Sequence, residues 1–263
     1  LAVHLVPGVN EVVFKCHGQS MRCCMYLWKW DDRLVVSDVD GTITKSDVMG
    51  HVMTAVGRDW THAGIAGLYR RIRENGYKII YLSSRSISQA AGTRDFLHNL
   101  RQDDGKHAMP LGPVILSPDG LFRSVTREVI LRRPHEFKIA ALSNIRGTFP
   151  AHVSPFHAGF GNRSTDERAY LEVGVPVGRV FTINPKGEIS HLTTARRVDA
   201  LATLQGILTH ADQVFPVMSR KVGPSRHGGG GDRHGDHTTS YHHPHPHAPQ
   251  TRGVPFPHGS GID

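Results

Sequence analysis

Cysteine is scarce in this chain of 263 residues, and its three copies, Cys16, Cys23 and Cys24, form no spaced framework. An odd count with two of them adjacent excludes a disulfide scaffold and suits a reducing compartment. The spacing is also wrong for a zinc site, so the cysteines read as structural. No apolar run approaches the roughly 20 residues that cross a bilayer. No secretory signal is recognisable in the first residues. Zinc-finger spacing, an aromatic RNP-type motif and a basic heptad are all missing, which leaves nucleic acid without a recognition module. At 38% hydrophobic and 21% charged residues the bulk is globular, enough for one sizeable domain plus extras. The formal net charge of +8 suits an anionic partner such as a phosphate or an acidic membrane, or simply a basic solvated surface.

What the chain does have is a buried strand that ends in acids. Residues 34–47 read LVVSDVDGTITKSD. Leu34, Val35, Val36 and Ser37 predict a short apolar strand. Asp38 and Asp40 follow two apart, so in extended backbone they leave on the same side. Two acids emerging together there are costly to bury unless a cation holds them. Gly41 lets the backbone turn sharply, and Thr42 can hydrogen-bond in the loop.

Residues 10–14 and 21–30 carry β-formers and aromatics and predict strands. Such strands are not a stable unit alone. They either extend the following sheet or belong to a sandwich completed from upstream. Ile65, Leu68, Tyr69 and Ile72 recur at helical spacing and predict a helix over 59–76. A second strand is expected over 78–82, followed by Ser83, Ser84 and Arg85. A helix with Phe96, Leu97 and Leu100 on one face follows, then a strand over 114–116. A helix over 136–145, a strand over 158–161, a helix over 166–173 and a strand over 180–183 continue the alternation, and a last helix is expected over 196–208. Alternating strand and helix predicts an α/β fold, a parallel sheet covered on both faces. From about Gly223 the Gly-, His- and Pro-rich chain cannot build a core and reads as a disordered tail. The domain reading is 1–30, 31–215 and 216–263.

In an open α/β sheet, ligands bind beyond the carboxyl ends of the strands. The first core strand brings Asp38, Asp40 and Thr42 there. The second brings Ser83 and Arg85, and the fourth Asn162, Arg163 and Asp166. Lys138 comes from the helix between the third and fourth. Taken singly, Ser83, Asn162 and Asp166 could cap helices, and Lys138 could be a solvated helical lysine. Together they form an oxygen-rich set that suits Mg²⁺, with cations and hydroxyls that suit a phosphoryl group. Asp38 can attack phosphorus, and Asp40 can protonate the leaving oxygen and then activate water.

This set, with Gly161-Asn162-Arg163 and Asp166, resembles the haloacid dehalogenase superfamily. From about Asn10 to Leu192 the chain is similar to the C-terminal catalytic region, the LNS2 domain, of lipins. The similar stretches include SDVDGTITKSD, GRDWTHAGIAGLY, NGYKIIYLSSRS, GPVILSPDGL, FKIAAL, PFHAGFGNR and INPKGEI. The resemblance implies a haloacid-dehalogenase-like Rossmannoid sheet preceded by strands of an incomplete immunoglobulin-like sandwich, with Leu1 not the native start. It implies a Mg²⁺-dependent phosphatidate phosphatase that converts phosphatidic acid to diacylglycerol. Asp38 would be the nucleophile and Asp40 the general acid/base. Mg²⁺ would contact Asp38, the Asp40 carbonyl, and Asn162 or Asp166. Thr42, Ser83, Arg85 and Lys138 would hold phosphate. Peripheral association with the endoplasmic reticulum or nuclear membrane, from the cytoplasm, goes with that activity. Two departures stand out. Met49-Gly50-His51-Val52-Met53 occupies the place of the lipins' leucine-rich coactivator motif, and Leu204-Gln205-Gly206-Ile207-Leu208, which fits that pattern, reads as packing. Trp28, Trp30 and Trp60 could sit at a membrane interface, but core packing is the expected role of each. Two rivals remain: a phosphatidic-acid sensor that lacks turnover, from which the presence of Asp38 argues away, and a phosphatase of a soluble ester.

Overall fold

The computed structural model describes residues 4–45, 60–103, 105–118, 134–192 and 197–218. The Met49–Met53 departure and the His/Pro-rich tail beyond 218 lie outside the described residues.

Strands β1 (Gly8–Cys16) and β2 (Gln19–Leu27) pair antiparallel. His17 and Gly18 both have positive φ, 46° and 77°, the two-residue turn whose twist matches a hairpin. The pair stands as its own two-stranded sheet, so it does not extend the larger one. Val13, Phe14, Met21 and Met25 on it are exposed.

Strand β3 (Leu34–Asp38) is buried along its whole length. It lies inside a seven-stranded sheet of order β11-β10-β9-β8-β3-β4-β7. Helix α1 (Ile65–Glu74) follows, later than the expected start at 59, because Thr61 bridges to Thr44 and Gly64 takes φ 79° just before the helix. Its Ile65, Leu68, Tyr69 and Ile72 are fully buried, as the spacing predicts. Strand β4 (Lys78–Ser86) runs past the expected end at 82, so Ser83 and Arg85 lie within it. Then come α2 (Ala90–Asn99), a short pair β5 (Arg101–Gln102) and β6 (His107–Ala108) that the pattern does not announce, and β7 (Val114–Ser117). Helix α3 (Pro134–Arg146) opens on a proline, whose missing N–H costs nothing at a first helical position. Strand β8 (Phe156–Gly161), α4 (Ser164–Glu172) and β9 (Val180–Ile183) complete the alternation.

The sheet is mixed rather than wholly parallel. β9, β8, β3, β4 and β7 run parallel. β10 (Glu188–Leu192) folds back antiparallel on β9, and β11 (Arg197–Thr203) antiparallel on β10. Asn184 holds the β9–β10 turn, its Oδ1 accepting from the backbone of Lys186 and Glu188 at 2.9 and 3.0 Å. The helix expected over 196–208 is thus corrected. The open edge of β10 draws its first part into the ladder, and Thr203 Oγ1 accepts the Gly206 N–H to start α5 (Leu204–Thr209) only there. A last short helix, α6, spans Ala211–Val214.

Helices cover both faces. Val35, Tyr81, Phe160 and Phe181 pack beneath residues of α1, α2, α5 and α6. Leu34, Val36, Ile80 and Leu82 pack beneath α3 and α4. Leu204 and Ile207 are buried, so that leucine pattern is indeed packing. Trp30 and Trp60 are not core residues: they are 60% and 46% exposed, while Trp28 packs partly against the second cluster. From β3 the chain builds outward through β4 and β7, then crosses to β8 and β9 on the other side. β3 and β8 therefore flank the point where strand order reverses, and a crevice opens at their carboxyl ends.

Candidate active site

Asp38 closes β3 at that crevice, with its side chain buried. Lys138, from the second turn of α3, reaches it: Nζ lies 2.5 Å from Asp38 Oδ1 and 2.5 Å from Asp166 Oδ1. All three groups are 4% exposed or less, so the lysine is no solvated helical residue. One cation shared by two buried carboxylates leaves each partly compensated. Burial, followed by the neighbouring Asp166 charge, pushes Asp38 up to about 7 against the pull of Lys138. Burial works against the Lys138 charge, but the two carboxylates prevail and hold its pKa above the ordinary lysine value. Thr42 Oγ1 donates to Asp38 Oδ2 at a long 3.4 Å.

Asp166 sits in the first turn of α4. Its Oδ2 accepts the backbone N–H of Asn162 and of Arg163, both at 3.1 Å, while Oδ1 takes Lys138. It caps its own helix and joins the site at once. Gly161 makes this possible, since a Cβ there would lie 2.5 Å from the Asp166 Cβ. Asn162 is half-buried beside it.

Asp40, one pleat beyond Asp38, belongs to β4 by its contacts. Arg85 Nε lies 3.0 Å from both of its oxygens and Nη2 is 2.5 Å from Oδ1. Ser83 Oγ donates to Oδ2 at 3.0 Å. Ser83 and Arg85, expected on phosphate, are therefore brought to the site but aimed at Asp40. The i, i+2 spacing of Ser83 and Arg85 on one strand announces that they share a face; nothing in it names their partner. Two further groups carry no sequence signal. Thr93 on α2 lies 3.4 Å from Arg85 Nη1. Tyr69 on α1 bonds Ser37 Oγ at 2.7 Å, and Ser37 in turn donates to the Asp38 carbonyl at 2.7 Å. Burial raises the Tyr69 pKa, so it stays a neutral donor.

Three carboxylates, Asp38, Asp40 and Asp166, thus face two cations, Lys138 and Arg85, through direct hydrogen bonds. The cluster carries excess negative charge in a largely buried crevice. Asp38 and Asp166 bring hard carboxylate oxygens to it, one oxygen of each taken by Lys138. Carboxylate oxygens are the donor type that small divalent cations take, while among the described residues no group of three or more His, Cys, Asp or Glu side chains is placed to hold a metal ion. Chemically, the arrangement offers a carboxylate nucleophile, a second acid within one pleat and an ammonium group for anionic oxygens.

The family described as LNS2 (Lipin/Ned1/Smp2) matches residues 1–216. Phosphatidate phosphatase PAH1 of Arabidopsis thaliana is 52% identical over 223 residues, which cover 83% of this chain and 24% of that protein. Phosphatidate phosphatase LPIN2 of Homo sapiens is 44% identical over 222 residues, 82% of this chain and 24% of that protein. Nuclear elongation and deformation protein 1 of Schizosaccharomyces pombe is 46% identical over 221 residues, 82% of this chain and 33% of that protein. The chain spans about a quarter to a third of the length of these relatives.

Proposed function

This chain belongs to the LNS2 (Lipin/Ned1/Smp2) family, and from that premise we propose that it hydrolyses phosphatidic acid to diacylglycerol and phosphate. Relatives named phosphatidate phosphatase support the substrate. The observation that carries the chemistry is Asp38, buried at a sheet's carboxyl edge and joined to Asp166 through Lys138, with Asp40 one pleat away.

The proposed reaction has two displacements. Asp38 attacks phosphorus, the bond from phosphorus to the glycerol oxygen breaks, and Asp40 gives that oxygen its proton. Diacylglycerol leaves, and an aspartyl-phosphate remains on Asp38. Asp40 then takes a proton from water, which attacks phosphorus and frees phosphate and Asp38. Lys138 stabilises the anionic oxygens throughout. Asp38, the Asp40 carbonyl, and Asn162 or Asp166 would hold Mg²⁺, which supplies charge neutralisation for an anionic ester approaching an anionic nucleophile. We read the large sheet as haloacid-dehalogenase-like, and the β1–β2 hairpin as part of an immunoglobulin-like sandwich completed by a region upstream. The substrate places the reaction on a membrane surface, in the proposal that of the endoplasmic reticulum or nucleus.

The test is turnover by the folded chain on phosphatidate in mixed micelles, beside a soluble aryl phosphate, with Mg²⁺ and with EDTA. Phosphatidate should be preferred and EDTA should stop the reaction. Asp38→Ala should lower kcat at least about 10³-fold. Turnover that survives Asp38→Ala removes the nucleophile from the proposal. Phosphatidate binding without turnover makes the chain a sensor, and equal rates on both esters make it a soluble-ester phosphatase.

A further inference from the structure

Arg85 is a cation the mechanism above does not use. It is 7% exposed, on β4, and its guanidinium forks onto Asp40 from Nε and Nη2. Ser83 Oγ donates to Oδ2 at 3.0 Å and also accepts the Arg85 N–H at 3.1 Å. Thr93 Oγ1, itself buried on α2, lies 3.4 Å from Nη1. Both oxygens of Asp40 are therefore fixed by groups on a neighbouring strand, and the fork is fixed in turn from a helix. Asp38, by contrast, takes Lys138 on one oxygen and a long bond from Thr42 on the other. The two acids of one motif are held by different devices.

We propose that Arg85 is a positioning residue for Asp40: its fork, seated by Thr93 and backed by Ser83, sets the direction in which Asp40 presents its carboxyl group to the leaving oxygen and to water. The inference rests on the phosphatase reading, in which Asp40 is the acid and base. A planar fork fixes a carboxylate plane; an ammonium attracts it without fixing the plane. Geometry at the reacting centre governs the proton transfer, and displacement of a catalytic group by about 1 Å can cost about 10²-fold in rate. A residue that merely bound the substrate's phosphate would instead act on affinity, and lysine serves phosphate well as a point charge.

Arg85→Lys decides between the two roles. In the full chain it should lower kcat about 30- to 100-fold with KM changed less than about threefold. Thr93→Val should move kcat the same way by a smaller factor. A KM raised about tenfold or more with kcat near wild type overturns the proposal and puts Arg85 on phosphate. Kinetics identical to wild type also overturn it. An unfolded Arg85→Lys protein would shift the decision to Thr93→Val, in which an unchanged kcat counts against the seating. If the wild type turns over no phosphate ester, the phosphatase reading fails by itself. The positioning claim is then read from the crystal structure of Arg85→Lys: an Asp40 carboxylate swung off Ser83 supports it, and one left in place overturns it.

Discussion

Lys138 is where sequence and structure add most to each other. Its order along the chain, between the third and fourth core strands, marks it as a site residue. What it holds is set by packing, because Asp38 and Asp166 lie 100 and 28 residues away. Replacing it by Met leaves two buried carboxylates without the cation they share. Removing one partner of a buried ion pair typically costs about 3–5 kcal/mol, so Lys138→Met should fall by that order in urea denaturation with EDTA present. Bare neighbouring carboxylates bind protons more tightly. The deficit should therefore shrink as pH is lowered from 8 to 5, and a deficit that grows would remove the ion-pair account. The proposed metal adds a second reading at this scale. A ligand that binds only the folded state at a hundred times its Kd adds about 2.7 kcal/mol. Mg²⁺ should raise the wild-type melting temperature reversibly with EDTA, and Asp38→Ala should blunt the rise. The acids, the hydroxyls and the lysine were all legible as a converging set. The pairing of Arg85 with Asp40 was not, since spacing along a strand tells which face a side chain is on and not what meets it there.

At the scale of elements, period and punctuation read well where one face is buried. α1 repeats its apolar positions at helical spacing and buries every one of them. β3 is a continuous apolar run because both sides of a central strand face helices. The failures sit at the sheet's edge. β10 and β11 are an antiparallel extension whose formation depends on a free strand edge, which no local pattern announces. β4 runs on through Ser83-Ser84-Arg85 because β7 pairs with it out to Ser86. Close approach between elements is also invisible locally. α4 lies so near β8 that a Cβ on Gly159 would meet the Tyr170 ring at 2.5 Å. Tyr170 cannot yield easily: it is fully buried and donates its hydroxyl to the Phe160 carbonyl at 2.8 Å. Gly159→Ala should cost about 1–3 kcal/mol by overpacking, seen as an earlier urea midpoint with unchanged slope. A neutral result would mean that α4 can lift off the sheet. The same shift of α4 would move Asp166, so turnover should fall along with stability.

The molecule as a whole is tied at the end of the sheet away from the site. Residues 211–218 return over α1 and β8. Asp212 pairs with Arg71, and Asn75 donates to Asp212 Oδ1 at 2.7 Å and to the Phe215 carbonyl at 2.6 Å. Phe215 is fully buried against Tyr77 and Phe160. His157 is the keystone of this contact. The pairing of β8 with β3 steps from Phe156 to Ala158, so His157 is the extra residue of a bulge. Its ring stands 4.5 Å from Tyr77 and 5.6 Å from Phe215, with Nε2 3.3 Å from the Val214 carbonyl and Arg179 Nη1 at 2.5 Å from Nδ1. Burial, then the Arg179 charge, lowers its pKa from 6.5 to about 4; the Val214 carbonyl opposes them, and the Arg33 charge adds a smaller lowering. Below about 6.5 the unfolded chain takes up a proton that the folded chain refuses until about 4, so this group's share of stability is complete above 6.5 and is lost as pH falls through that window. Buried carboxylates also respond to acid, so the informative quantity is the difference between wild type and His157→Phe, which keeps the aromatic contact and removes the titration. Urea unfolding of both proteins at intervals from pH 7.5 to 4 should show wild type losing stability relative to His157→Phe as pH falls. A difference that stays constant across that range would show that His157 does not couple the returning segment to pH.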